Sequence, residues 1–134
     1  MIKEIAKYID NNTSLVTGTT LFVGKLPPRF EGACVTVEEP SPGYRNPHPE
    51  LTDEGQTPFR ILVRGAVNDG YFTTRDTAFT VFTLLHGKVQ LTLPVVSGPT
   101  YLVNIICNDP AYIGPDEKHR DILVIYVLVI REEN

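Results

Sequence analysis

Three histidines, His48, His86 and His119, are the scarce residues in this chain suited to act as bases or metal ligands, and their spacing supports neither role. His48 and Glu50 stand together in PHPE, with Asp53 and Glu54 close behind. A structural zinc site needs about four well-placed ligands, and no HxxxH or CxxC supplies them. His86 and Lys88 fall where a helix ends, which suits cations meeting the negative end of its dipole. Arg60 and Arg64 alternate onto one strand face, where they could bind an anion; such pairs more commonly form salt bridges or a solvated strip. The charged run GPDEKHRD, Gly114 to Asp121, reads as a turn with a secondary reading as a partner contact. Nucleophilic catalysis has no GxSxG elbow, and nucleotide binding has no GxGxxG or GxxxxGK[ST] loop. Cys34 and Cys107 each sit inside an apolar run, where a cysteine behaves as a small buried hydrophobe; two cysteines do not make a secreted disulfide framework. No catalytic residue, metal ligand or cofactor site is expected, and the chain does not read as an enzyme.

Composition agrees with a non-catalytic reading. A length of 134 residues suits one domain spanning 1–134, able to bury about two thirds of its unfolded surface. Twelve basic and sixteen acidic residues leave a net charge of -4, so no broad cationic surface awaits a phosphate backbone. The opening MIKEIAKYIDNN carries charge throughout and has no apolar core, so no signal peptide is expected and the chain is expected to stay in a cytosol. Its longest apolar run, Ile122 to Ile130, is far short of the roughly 18 residues that span a bilayer as a helix, so no membrane segment is expected.

Periodicity supplies the elements. Ile2, Ile5, Ala6 and Ile9 repeat at helical spacing, predicting an amphipathic helix from Ile2 to about Asn11. Thr20 to Lys25 is a short extended piece, and Ala33 to Glu38 alternates as a half-buried strand. The stretch at about 40–58 holds five of the eleven prolines and predicts a long exposed loop. Phe59 to Ala66 resumes as a strand. Thr73 or Thr74 then caps a second helix with Asp76, Thr80 and Thr83 on its polar stripe, ended by Gly87. Val89 to Leu93 and Tyr101 to Cys107 read as strands, Pro110 to Arg120 as a connector, and Asp121 to Arg131 as the most apolar strand.

This order describes an α+β fold, a mixed or antiparallel sheet of about four to five strands with two helices on one face. Two helices of three to four turns cover one face of such a sheet. The last strand nevertheless has no polar face: Leu123, Ile125, Val127 and Val129 point one way, and Ile122, Val124, Tyr126, Leu128 and Ile130 the other. Water-exposed apolar area of that size calls for cover. Either another subunit supplies it, or the long loop and the Val89 to Val96 segment fold over it.

The opening IKEIAKYIDNNT, the strands LFVGKLP and FRILVRGA, the helix end TLLHGK and the C-terminal YLVNIICNDPAYIGPDEKHRDILVIYVLVIREE together resemble the tail terminator, or tail-completion, proteins of long-tailed bacteriophages, often labelled minor capsid proteins. The resemblance runs over nearly the whole chain. It implies a small α+β protein forming a hexameric ring on the last ring of tail-tube protein, stopping tube growth and presenting a surface to the head-completion or connector protein. It implies a place at the head-tail junction of the virion after assembly in the host cytoplasm. The acidic balance suits a pore that DNA passes without specific binding. A head-tail connector or neck protein, and a small enzyme using the histidines and loop carboxylates, are the rival readings. The residues expected to meet partners are Tyr44, Arg45, His48, Tyr112, Lys118, Arg120 and Tyr126.

Overall fold

The computed structural model describes residues 1–38, 56–96 and 98–132. Helix α1, Ile2–Asn12, turns Ile5, Ala6 and Ile9 fully inward. The hydroxyl of Thr13 donates to the Ile9 carbonyl at 2.7 Å and the Asn12 amide to the Tyr8 carbonyl at 2.8 Å, so side chains at the end of the helix bond back onto its last turns. Seven strands follow around helix α2, Tyr71–Leu85: β1 (Leu21–Gly24), β2 (Cys34–Glu38), β3 (Gln56–Arg64), β4 (Leu91–Thr92), β5 (Leu102–Cys107), β6 (Ala111–Pro115) and β7 (Asp121–Arg131). They form one curled mixed sheet in the order β1-β2-β3-β7-β5-β4, with β1 parallel to β2 and every other pair antiparallel.

Strand β7 is the spine. One edge pairs with β3 along its length, and the other is shared by β6 at Asp121–Val124 and β5 at Val127–Arg131. Leu123, Ile125, Val127 and Val129 face the helices, beside Val35, Val37, Ile61, Val63, Val103 and Ile105. Both helices meet this one face, contributing Ile5, Ile9, Ala78, Val81 and Leu85 to a single core. This alternation is what a sheet half-covered by helices requires.

The sheet has seven strands, more than the four to five expected, and β6, β3 and α2 each depart from the sequence reading. The Pro110 to Arg120 connector contains β6, because the first half of β7 has a free edge that β6 fills despite Gly114 and Pro115. A bulge between Tyr112 and Gly114, with Gly114 at φ 107°, absorbs the poor strand chemistry. Strand β3 starts at Gln56, inside the expected loop. Its Pro58 lies beyond Arg60, the last β3 residue that β2 pairs among the described residues, so the missing N–H interrupts no β2–β3 bond there. Helix α2 begins at Tyr71, ahead of the expected Thr73 or Thr74. Gly70 precedes it without a side-chain cap, and Thr74 is buried within the first turn. Asp76, Thr80 and Thr83 do line its exposed side.

Candidate interaction surface

The face of the sheet turned away from the helices divides into a closed end and an open end. Even-numbered residues supply it: Cys34, Thr36 and Glu38 on β2, Arg60, Leu62 and Arg64 on β3, and Ile122, Val124, Tyr126, Leu128 and Ile130 on β7. At the closed end Leu62 and Val124 are buried, as are the side chains of Arg64 and Arg120. The segment from Lys25 to Ala33 is strapped across it. Arg64 donates to the carbonyls of Pro27 and Phe30, both at 2.8 Å, and Arg120 to the same Phe30 carbonyl at 2.6 Å. The ring of Phe30 meets Phe22 of β1 edge-to-face at 5.4 Å.

Arg120 is itself fixed by Asp116 through two nitrogens, Nε at 2.7 Å and NH2 at 2.6 Å. Asp116 also accepts the backbone N–H groups of Lys118 and Arg120, closing the β6–β7 turn, where His119 adopts φ 62°. Burial opposes ionisation of Asp116, but the bonds from Arg120 and Lys118 outweigh it and hold its carboxyl below the usual range. The charged run GPDEKHRD is therefore the turn that aims a guanidinium at the strap.

At the open end the apolar character of the face meets water. Tyr126 is 51% exposed and Ile106 of β5, opposite Leu128, is 50% exposed, while Leu128 and Ile130 are half-buried. Beside them Arg60 pairs with Glu38 at 2.9 Å, and that carboxylate raises the guanidinium's pKa further. Arg60 and Arg64 thus share a face but divide its work: one makes a surface salt bridge, and the other is buried on backbone carbonyls. The strap is a third answer to the question of cover. It comes from Lys25 to Ala33, and it seals only half of the apolar face.

The residues expected to meet partners are scattered. Tyr44, Arg45 and His48 lie outside the described residues, as do Glu50, Asp53 and Glu54. Tyr126 stands at the open end. Lys118 is exposed on the β6–β7 turn, 4.0 Å from Glu31 of the strap. Tyr112 is exposed on β6 and donates its hydroxyl to Asp121 at 2.9 Å, a bond that raises its pKa. Arg120 is 4% exposed and serves the strap rather than the surface. Sequence reasoning missed Ile106, whose exposure follows from a register that alternation within β5 alone does not give. It also missed Tyr71 and Phe72 on α2, whose rings lie 5.3 Å apart; that of Tyr71 is also 5.3 Å from Tyr112.

No group of three or more metal-ligating side chains occurs among the described residues, and none of their helices is long and apolar enough to cross a membrane. His86 ends α2, but its Nδ1 accepts the Cys107 backbone N–H at 3.0 Å and its ring stacks on Phe82 at 4.9 Å. His86 is thus the C-cap of α2, its backbone N–H donating to the Phe82 carbonyl at 2.8 Å, while its ring braces β5.

Cys34 and Cys107 are free and buried. Burial pushes the Cys34 thiol up, against the opposing pull of Arg64 and Arg120, and pushes Cys107 from 9.0 up to about 12. A thiol held near 12 has about a thousandfold less thiolate at pH 8 than an ordinary cysteine. Native Cys107 is therefore expected to react with iodoacetamide at least a hundredfold more slowly than in the urea-unfolded chain, as read by mass spectrometry. Because the folded value lies above the unfolded one, this thiol stabilises the fold below pH 9.0, and that contribution is lost as pH rises toward about 12.

No protein-family model matches the chain, and no curated protein matches it.

Proposed function

We propose that this chain is an assembly subunit that works by docking, and that it acts as a bacteriophage tail terminator, a ring of copies capping the tail tube and offering its other side for head-tail joining. The observation carrying this reading is the open end of the sheet's second face, where Tyr126 and Ile106 stay half-exposed above Leu128 and Ile130. The chain uses its own strap to seal the other half, so the uncovered half is a surface left for a partner. The resemblance of the strands and helix ends to tail-completion proteins names the partner as tail-tube protein. Capping needs only binding: one side matches the growing tube end, and the other accepts no further tube subunit. The net charge of -4 gives DNA no broad attraction on its way through the ring.

Electron microscopy of purified protein mixed with tail tubes tests the reading, with density expected at one tube end only. Binding to the head vertex in place of the tube end would instead identify a neck protein. The Ile106→Arg and Tyr126→Arg chains are expected to lose at least tenfold in tube-end occupancy while melting within about 2 °C of the parent, because both side chains already face water. Unchanged occupancy in both variants removes the sheet face from the docking surface.

A further inference from the structure

The strap covers residues far better hidden than its own. No residue from Lys25 to Ala33 is buried, while Cys34, Thr36, Leu62, Arg64 and Val124 beneath it all are. No backbone bond among the described residues ties it to a strand. Its one internal backbone bond runs from the Phe30 N–H to the Pro27 carbonyl at 3.4 Å, and Pro27 and Pro28 have no N–H to offer. What holds it down is the three guanidinium bonds from Arg64 and Arg120 and the contact of Phe30 with Phe22.

Closure also strands two polar groups. The Nε of Arg64 and the hydroxyl of Thr36 have no hydrogen-bond partner among the described residues, and these residues are 3% and 0% exposed. Thr36 stands between Phe22 of β1 and Leu62 of β3 in the ladder, on the side where Phe22 meets Phe30. Both groups regain water when the strap lifts, so hydration favours the open form while the guanidinium bonds favour the closed one. The rest of the fold does not depend on the strap. Strand β2 keeps its pairing with β1 and β3, and the core lies on the opposite face with the helices. Gly24, at φ 111°, marks the point where the strap leaves β1.

We propose that the strap is a lid, opening as a unit from Gly24 to Ala33 while the sheet and helices stay folded. Closed, it confines the water-facing apolar strip to the open end. Open, it adds Leu62 and Val124 to that strip, so the extent of the apolar face is set by an equilibrium within the chain. The lid goes beyond the capping role and does not rest on it.

The two thiols report on opposite faces of the sheet. Cys34 directly follows the strap, across from Arg64, whereas Cys107 belongs to the core under the helices. Both are free and buried, so each reacts only when its cover opens. Iodoacetamide labelling of the parent chain, read by peptide mass spectrometry, is followed at urea concentrations below the unfolding transition. Cys34 is expected to label about tenfold faster than Cys107, at a rate nearly independent of urea, because lifting the strap exposes little surface. Cys107 should accelerate steeply with urea. Equal rates with equal urea slopes at the two thiols overturn the lid, since the strap then opens only with the whole fold. Phe30→Ala, which deletes the contact with Phe22, should speed Cys34 labelling without urea about tenfold and leave the far-ultraviolet circular dichroism unchanged. A folded Phe30→Ala chain that labels Cys34 at the parent's rate also overturns the lid. If that variant does not fold, the urea slopes of the parent decide alone. Neither readout involves tail tubes, so the lid and the capping role fail separately.

Discussion

The Arg120→Ala chain is expected to unfold about 3 kcal/mol more easily than the parent, lowering Tm by about 10 °C. The size follows from what is stranded. Arg120 is 4% exposed and satisfies both Asp116 and the carbonyl of Phe30. Its removal leaves a partly buried carboxylate without its cation and loosens one of two guanidinium ties on the strap, which breaking a buried pair makes costly. An exposed salt bridge such as Arg60–Glu38 contributes far less, under about 1 kcal/mol. Urea titrations of Arg120→Ala, Asp116→Ala and the double variant form a cycle whose coupling should exceed 1 kcal/mol. The pH dependence gives a second reading. Asp116 ionises below its ordinary 3.8 when folded, so its pairing stabilises the parent above that value and is lost as pH falls through the folded one. The Arg120→Ala chain should show a flatter acid limb. Equal stability of parent and variant at pH 7 would mean that the strap is not held by this pair.

The parts of the fold legible in the sequence are those where local pattern and tertiary demand agree. The spacing of Ile2, Ile5, Ala6 and Ile9 makes α1 readable, because nothing in the tertiary structure asks those residues to do anything else. Strand β7 is readable for the same reason, and its second apolar face is covered by the strap at one end and open at the other. The source of that cover is not legible. Lys25 to Ala33 has no periodicity, and its hold depends on Arg64 and Arg120, 34 and 90 residues away from Phe30. Strand β6 is hidden by its composition, since Gly114 and Pro115 argue for a loop and only the free edge of β7 argues for a strand. The aromatic patch on α2 is half legible. Tyr71, Phe72, Phe79 and Phe82 share an arc of about 100° beside the buried stripe of Thr74, Ala78, Val81 and Leu85, which makes the apolar side of the helix wider than the sheet covers and leaves rings at its margin in water. Ile106 needed the register against Leu128 before its exposure could be known.

The second large effect is expected at Gly65, where the backbone leaves β3 for α2. A methyl group there runs into the hydroxyl of Thr74, closer than any real contact allows, and also meets Asp69 Cβ at 3.4 Å. Neither side can retreat easily. Gly65 donates its N–H to the Asp121 carbonyl at 3.0 Å, extending the β3–β7 ladder, and Thr74 is 3% exposed inside the first turn of α2. Gly65→Ala is therefore expected to lose about 2–3 kcal/mol, the usual scale for overpacking. The Thr74 hydroxyl has no hydrogen-bond partner among the described residues, so deleting it sacrifices no bond there. Thr74→Ala alone should change stability by less than about 1 kcal/mol. In the Gly65→Ala background it should restore most of the loss, because the remaining Thr74 Cβ lies 3.5 Å from the added methyl, an ordinary contact. Thr74→Val, which puts a methyl where the hydroxyl was, should restore nothing. Rescue by both valine and alanine would show that the hydroxyl's chemistry matters; rescue by alanine alone shows that its volume does. The second outcome makes Gly65 the point where helix α2, and the aromatic patch at its start, is pressed onto the sheet.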